Sequence, residues 1–448
     1  MATWLSRDDA RALCGRILKF SSADEARVNV WSSVRGNTRF AVNQISTSGD
    51  VTSTDVAVTS AFGRRLATAS TNRSDEASLR AVVETSERLA RLAPEDPEYL
   101  GELAVLAVPE RNALFDRTVA LTPESRATAV AAIASAAAAR GLVSTGYITH
   151  ATGSRAVMTS KGQFAWTESS DGNITSTVRT PDGTGSGWAG TGFFDWGAVD
   201  ATTLASTAIE KAERSREPRE VEPGAWVTIL EPTAVANMVG LMTGALGARP
   251  ADEGRSYFSR PKGANRIGEQ FLDPRVTIWT DPMDRDLLSS PFNNQGLPNR
   301  REVWVENGQL RTLVYDRYWA TRTKRQPTGF VSGYAMAGGD ATVDDMIRST
   351  ERGLLVTRLW YIRPVDPRTI LFTGLTRDGI FLIENGRIAH PVKNLRWNES
   401  PIAMLNQIEA LGRPARVSPS ESGDTAPAVI VPALKVKAFT FTSTSDAV

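Results

Sequence analysis

Three side chains in this 448-residue sequence belong to the types that most often bind zinc or act in nucleophilic catalysis: Cys14, His150 and His390. A catalytic zinc ion usually takes three protein ligands, and two of them often lie one helical turn apart. These three residues are far apart in the sequence, which has no HExxH and no CxxC motif. The sequence therefore predicts no metal ligand in this chain.

Other routes to hydrolysis are also poorly supported. A serine nucleophile needs a neighbouring base, and no GxSxG motif is present. Cys14 lies near the apolar stripe of a predicted helix, a position typical of a small buried hydrophobe. The acidic pair Asp344 and Asp345 fits the first turn of a helix, where carboxylates complement the helix dipole. We therefore predict no catalytic residue in this chain.

His390 is positioned by a predicted hairpin, "FLIENGRIAHPVKN". Asn385-Gly386 lies between two apolar runs, which is a strong signal for a two-residue hairpin turn. Pro391 restricts the residue before it to extended conformations. This pattern favours a structural strand-end residue over a catalytic or metal-binding one.

Composition and net charge limit the classes of binding partner that the sequence favours. Hydrophobic residues make up 41% of the chain and charged residues 23%, as in globular proteins with a large core. The 51 basic and 50 acidic residues give a net charge of +1, which argues against nucleic acid or an anionic membrane as the main partner. With one cysteine, no stretch of signal-peptide character and no membrane-span-length apolar run, the sequence predicts a cytoplasmic protein.

The predicted helices and strands, which must position any functional site, indicate an α+β protein of two domains. Alternating strand patterns and four predicted helices fill a mixed N-terminal domain, residues 1–215, with Ser6, Ser74 and Thr122 as predicted N-caps. The charged, proline-rich stretch 216–225 is the predicted linker. Residues 226–448 form a β-rich C-terminal domain that includes a helix over "SPIAMLNQIEAL".

The second half also carries motifs in an order that resembles the TldD/PmbA family, known for modulators of DNA gyrase and peptide-maturing proteases. The resemblance spans nearly the whole chain and is most specific between residues 224 and 441. Its main motifs are "TILEPTAVANMVGLM", "GRSYFSRPKGANRIGEQFLDPRVTIWTDP", "SSPFNNQGLPNRREVWVENGQLRTLVYDRYWATRTKRQPTG", "IENGRIAHPVKNLRWNESPIAML" and "PALKVKAFTF".

The resemblance implies one of two subunit types. TldD subunits carry an HExxxH helix that binds zinc, whereas TldE (PmbA) subunits lack it and pair with a TldD subunit. The corresponding helix here, Glu231 to Gly247, contains no histidine. The resemblance thus implies that this chain is the metal-free subunit of a heterodimeric peptidase that acts on unfolded peptides. The zinc would then be bound by a TldD-like partner. The alternative is a stand-alone homodimeric peptide-binding protein without catalysis.

Two polar, turn-rich segments within apolar strand patterns, residues 254–260 and 291–298, are predicted to line the substrate cavity. We expect an extended peptide there, bound by addition to a sheet edge. The predicted cavity residues are Arg255, Ser256, Tyr257, Asn293, Asn294, Gly296 and Thr328.

Overall fold

The computed structural model describes residues 4–287, 289–419 and 428–445. Its strands form two large sheets, one in each half of the chain, which confirms the predicted α+β class. The first sheet has seven strands and the second has eleven, and a two-stranded sheet adds to the second half.

The described residues of the first half form five α-helices and seven strands. The helices are α1 (Arg7–Leu18), α2 (Glu76–Leu92), α3 (Asp116–Val119), α4 (Pro123–Ala139) and α5 (Ala201–Arg214). The strands are β1 (Glu25–Ala41), β2 (Gln44–Phe62), β3 (Arg65–Thr71), β4 (Asn112–Ala113), β5 (Val143–Thr159), β6 (Phe164–Arg179) and β7 (Ser186–Phe193). The order across the sheet is β3-β2-β1-β5-β6, with β4 and β7 both pairing with β6.

Even-numbered residues of β1 point to the helices. Val28 and Val30 are buried in a cluster with residues of α1 and α2. Phe40, near the other end of the strand, is buried in a second cluster with Ile148 of β5 and Ile133 of α4. Because side chains alternate along a strand, the odd-numbered residues lie on the opposite face.

The helix-covered face also holds a buried polar network around Arg126 of α4. Its guanidinium donates to Thr38 Oγ1 at 3.0 Å and to Asp50 Oδ1 at 2.5 Å, and its Nη1 lies 3.3 Å from His150 Nδ1. A Cβ atom at Gly36 would lie only 2.2 Å from the His150 ring. Glycine at this position therefore makes room for the network.

The β1–β2 turn is fixed to the start of β5. Val42 and Asn43 both have positive φ, as a tight two-residue turn requires. The Asn43 side chain accepts from the Ser144 backbone N–H at 2.6 Å and donates to the Leu142 carbonyl at 2.8 Å. These bonds hold the end of a long hairpin in place.

Five α-helices and thirteen strands occur in the part of the second half that the structure describes. The helices are α6 (Pro232–Gly244), α7 (Ala248–Asp252), α8 (Arg317–Arg322), α9 (Val343–Arg348) and α10 (Pro401–Leu405). The strands are β8 (Gly224–Leu230), β9 (Ser259–Arg260), β10 (Ala264–Asn265), β11 (Ile278–Thr280), β12 (Glu302–Glu306), β13 (Gln309–Leu310), β14 (Ala335–Met336), β15 (Arg352–Asp366), β16 (Leu371–Glu384), β17 (Arg387–Pro391), β18 (Leu395–Glu399), β19 (Ile408–Val417) and β20 (Val429–Thr444).

The largest hydrophobic cluster surrounds α6, most of whose side chains are buried. The predicted Asn385-Gly386 hairpin is confirmed, since both residues have positive φ between paired strands. Asn307-Gly308 forms a second turn of the same kind between β12 and β13. The residues between the two large sheets, 216–223, are fastened to the second hairpin. Arg219 donates its N–H to the Pro391 carbonyl at 3.0 Å and accepts from the Lys393 N–H at 2.9 Å.

Three predictions of local structure need correction. Asp75, not Ser74, caps α2 by accepting from the Ser78 N–H. The sequence spacing places Leu92 on the apolar face of α2 with Leu79, Val82 and Val83, but Leu92 is 78% exposed. The predicted helix over "SPIAMLNQIEAL" stops at Leu405, and β19 begins at Ile408, where pairing with β20 overrides local helix propensity.

Candidate functional site

A cleft lies against the odd-numbered face of the first sheet. One cavity of about 550 Å³ and another of about 310 Å³ share the lining residues Arg155, Ser289, Ser290 and Ser332. The first sheet supplies the floor, and segments around 280–300 and 314–332 of the second half supply the wall. Both halves of the chain are therefore needed to form the cleft.

Buried Arg111 and half-buried Arg155 hold the wall to the floor. Arg111 donates to the carbonyl oxygens of Leu287 at 2.8 Å and Ser289 at 2.9 Å. Arg155, on β5, donates to Ser290 Oγ at 3.2 Å and to Asn294 Oδ1. The Nε atoms of both arginines, and the hydroxyl of Ser289, are buried without a hydrogen-bond partner. The cleft thus retains polar groups whose bonding capacity is unused.

Register places the floor side chains in rows across β1, β5 and β6. One row is Trp31, Arg155 and Thr167, and a row four residues along β1 is Arg35, Ala151 and Asp171. Small residues between these rows, including Gly153, leave the space that the smaller cavity occupies. From residue 31 to residue 39 of β1 the floor extends about 27 Å, enough for an extended segment of roughly eight residues.

A third cavity, of about 830 Å³, continues along the same face towards β7 and the second sheet. Its second-sheet side carries Arg358 and Arg377, which both form ion pairs with the buried carboxylate of Asp378. The Arg377 guanidinium lies 4.1 Å from the centre of the Trp360 ring, and Ser186 donates to Asp378 at 2.7 Å. This end of the cleft is rich in arginine.

The third cavity borders an unpaired strand edge. Strand β3 pairs with β2 only from Val56 onwards, so the outer edge of β2 from Gln44 to Asp55 has no partner strand among the described residues. Thr47, on this edge, lines the third cavity. An unpaired edge presents free backbone N–H and C=O groups that an extended chain can pair with.

Burial sets the protonation state of two groups on the floor. Burial raises the pKa of Asp171 to about 6, an effect that the charge of Arg35 partly offsets. Burial lowers the pKa of Arg155 to about 10, so this guanidinium stays charged at neutral pH.

The structure separates the predicted cavity residues into two groups. Asn293, Asn294 and Thr328 line the cavity of about 550 Å³, and Gly296 forms the turn between lining residues with φ of 82°. The other three do not line it: Arg255 is an exposed partner of Glu253, Ser256 caps a local turn, and Tyr257 packs on Phe258. Contact of any of these residues with a substrate stays a prediction.

The sequence reasoning missed the floor of the cleft. Arg35, Arg39, Arg155 and Asp171 come from three strands and meet only through strand register. The alternation of polar residues at odd positions of "RVNVWSSVRGNTRF" was the available signal, because it marks a strand face that is not packed in a core.

Comparison with known proteins assigns the chain to a protein family. The PmbA/TldA metallopeptidase central domain matches residues 116–216, and the C-terminal domain of the same family matches residues 223–443. The chain belongs to the PmbA/TldD family.

Relatives of this PmbA/TldD family chain include named metalloproteases. The zinc metalloprotease TldD homolog of Saccharolobus solfataricus is 24% identical over 207 residues, which cover 42% of this chain and 44% of that protein. Metalloprotease PmbA of Escherichia coli O157:H7 is 27% identical over 183 residues, covering 39% of each. The matched regions thus span less than half the length of these relatives.

The fold similarity extends over the whole chain. The crystal structure of TldE from Thermococcus kodakarensis superposes with a TM-score of 0.82 at 18% identity, covering 97% of this chain and 99% of that one. At this identity the match establishes the shared fold.

The residues of this PmbA/TldD family chain do not fit a zinc site. Cys14 is buried in α1, where burial raises the pKa of its thiol to about 12. His150 lies in the Arg126 network, and His390 lies on β17 with Nδ1 3.0 Å from the Pro391 carbonyl oxygen. Across the ranges that the structure covers, no three His, Cys, Asp or Glu side chains form a group able to hold a metal. No described helix combines the length and apolar character needed to cross a membrane.

Proposed function

We propose that this chain is the TldE/PmbA-like, metal-free subunit of a heterodimeric TldD/TldE zinc metallopeptidase that processes or degrades unfolded peptides. The observation that carries the proposal is the combination of a fold that matches 99% of a solved TldE chain, a cleft between the two halves, and a described donor set that does not fit zinc. The zinc would belong to a TldD-like partner, and this chain would bind the peptide.

The division of labour follows from the chemistry of amide hydrolysis. Cleavage at neutral pH needs an activated water or nucleophile and groups that stabilise the developing oxyanion. The cleft offers arginines, amides and hydroxyls, which orient and bind a peptide. Among the described residues, Asp171 is the one carboxylate that lines the cavity of about 310 Å³. Three carboxylates, Asp96, Glu98 and Asp316, line the cavity of about 550 Å³, and no described histidine lines either cavity. This supports a binding role and leaves catalysis to the partner.

Backbone pairing supports the binding of an extended peptide. The free edge of β2 from Gln44 to Asp55 could add one strand through main-chain hydrogen bonds, and Thr47 places that edge beside the third cavity. Methylation of alternate peptide amide nitrogens removes those donors. We expect a peptide N-methylated on the side that faces β2 to lose most of its binding, and one methylated on the opposite side to retain it.

Reconstitution tests the proposal. An unfolded peptide would be incubated with this chain, with a TldD-like HExxxH partner, and with both, in each case with and without chelator. We expect the full rate only from the mixture, loss of the rate with chelator, and an interface of roughly 2,000 Å² or more if the pair is obligate. Robust chelator-resistant cleavage by this chain alone would overturn the proposal.

The same experiment separates the alternative. A stand-alone homodimeric peptide-binding protein would bind the peptide, form a stable homodimer and leave the partner's rate unchanged.

We place the complex in the cytoplasm, in keeping with a chain that has a single cysteine, and expect neither nucleic acid nor a membrane as a partner.

A further inference from the structure

Positive charge is concentrated in two of the three cavities of the cleft, those of about 310 and 830 Å³. The cavities of about 310 and 830 Å³ are lined by seven arginines and two aspartates, whereas the whole chain has a net charge of +1. A cleft lined by one sign of charge attracts ligands of the opposite sign. The lining arginines are Arg35, Arg39, Arg111, Arg155, Arg179, Arg358 and Arg377.

Two of these arginines lie one strand inside the free edge. Register pairs Arg35 with Val51 of β2 and Arg39 with Thr47, both within the unpaired stretch of that strand. Neither guanidinium makes a hydrogen bond or ion pair within the described parts of the chain, and both side chains are exposed. They are therefore available to a ligand bound at the edge.

The strand between these arginines and the edge carries mostly small side chains on the same face. The odd-numbered residues of β2 there are Thr47, Gly49, Val51 and Ser53. A strand added to the edge would lie about 10 Å from β1, two strand spacings away. An arginine and a glutamate or aspartate side chain together bridge that distance over such a low surface. Arginine also binds carboxylates through two parallel hydrogen bonds.

The spacing of the arginines defines a pattern in the ligand. Arg35 and Arg39 are four residues apart on one face, with Asn37 between them. In an added strand, residues that face them are also four apart, because side chains alternate with a period of two. Residues on the other face of that strand would meet the side of β2 that carries Asp50, already paired with Arg126. Asp55, at the inner end of the edge, limits the basic stretch to positions 47–53.

We propose that the β2 edge selects acidic extended peptides, with carboxylates at positions i and i+4 facing Arg39 and Arg35. This inference rests on the peptide-binding role proposed above and adds the substrate class. It distinguishes this edge from a purely backbone-reading site, which would bind acidic, neutral and basic peptides alike.

Peptides of matched composition test the pattern. Four fluorescent Ser/Thr/Gly peptides of equal length would carry two aspartates at i and i+4, two aspartates at i and i+3, two asparagines at i and i+4, or two lysines at i and i+4. Anisotropy at low salt should show the first binding about tenfold more tightly than the others, a difference of about 1.4 kcal/mol. The difference should shrink as ionic strength rises.

Matched variants assign the effect to two residues. Arg35→Gln with Arg39→Gln should abolish the preference, and Arg35→Glu with Arg39→Glu should reverse it towards the lysine peptide. The control is Arg16→Gln with Arg88→Gln, which removes the same charge from exposed positions on α1 and α2 and should change nothing. Circular dichroism of each variant checks folding. Equal binding of all peptides, or a preference that survives in the glutamine variant, would refute the inference.

Two further outcomes also count against it. Oligothymidylate displacing the acidic peptide at comparable concentration would show a general polyanion surface. Peptide binding that falls as light scattering detects self-association would assign the edge to a second copy of the chain.

Failure of this inference is distinguishable from failure of the proposed function. If the reconstituted complex cleaves all four peptides with the same KM, the subunit role stands and the acidic selectivity does not. If no partner gives cleavage but anisotropy still ranks the peptides as expected, the selectivity stands and the subunit role does not.

Discussion

The two faces of the first sheet are built from the same strands, yet the arginine that packs over β1 on one face is buried and bonded, whereas Arg35 and Arg39 of β1 on the other face are exposed. On the helix-covered face, Arg126 has no exposed surface and bonds to Thr38 and Asp50. On the open face, Arg35 and Arg39 keep their guanidinium groups in solvent without a bonded partner among the described residues. A buried guanidinium must be satisfied within the fold, whereas an exposed one can be reserved for a ligand.

Neighbouring residues on opposite faces give the largest expected contrast. Phe40→Ala removes a fully buried ring from the cluster beneath α4 and should lower the free energy of unfolding by about 3–5 kcal/mol. Arg39→Ala, one residue away on the open face, should change it by no more than about 0.5 kcal/mol. Denaturant titration of both variants measures the difference. Similar losses would mean that the open face is itself part of the folded core.

On the helix-covered face, the expected pH effect is on stability and comes from His150. Burial, with the adjacent charge of Arg126, lowers the pKa of His150 to about 4. The unfolded chain therefore takes up this proton more readily than the folded one, so His150 makes stability fall as pH drops from about 6.5 towards 4, by up to about 3 kcal/mol.

The difference between variants isolates that histidine from the carboxylates that titrate in the same range. His150→Gln should lose this part of the pH dependence of urea unfolding between pH 7 and pH 4. His390→Gln, on β17, serves as the control and should change stability by about 1 kcal/mol or less at every pH. An unaltered slope in the His150 variant would show that the network does not hold the imidazole neutral.

The smallest expected effect tests the open face. Burial raises the pKa of Asp171 to about 6, so this carboxylate is ionised at pH 7.5. Its negative charge then partly offsets the positive charge of Arg35, and Arg111 and Arg155 line the same cavity. Protonation as pH falls to 5.5 should tighten binding of the acidic i, i+4 peptide by about threefold, roughly 0.6 kcal/mol. Asp171→Asn should bind that tightly already at pH 7.5 and show little pH dependence. Anisotropy titrations at both pH values decide this.

The extent to which sequence predicts this molecule differs between local and long-range features. Helix α4 follows from Thr122 as cap and Gly141 as stop, and both Asn-Gly hairpins follow from turn chemistry. These signals act within a few residues. The stretch from Ile408 is different, because it becomes a strand only by pairing with β20, and its own sequence is compatible with helix.

The candidate site was the least predictable part for the same reason. The segment around Asn293 was recognisable as a polar turn region, and it does line the cleft. The floor was not recognisable, since Arg35 and Asp171 become neighbours only when β1, β5 and β6 align in register. No spacing within the sequence encodes that alignment directly.

The backbone bonds of Arg219 to Pro391 and Lys393 have a consequence for how such a protein can be inherited. Backbone hydrogen bonds hold the segment that joins the two sheets against a hairpin about 170 residues further along the chain. This segment is therefore not a flexible linker between two independent domains. If the gene were split at this junction, two separate polypeptides would have to form these hydrogen bonds. Their association would then cost translational freedom, as any bimolecular association does. The two halves are therefore expected to recombine, duplicate and diverge together.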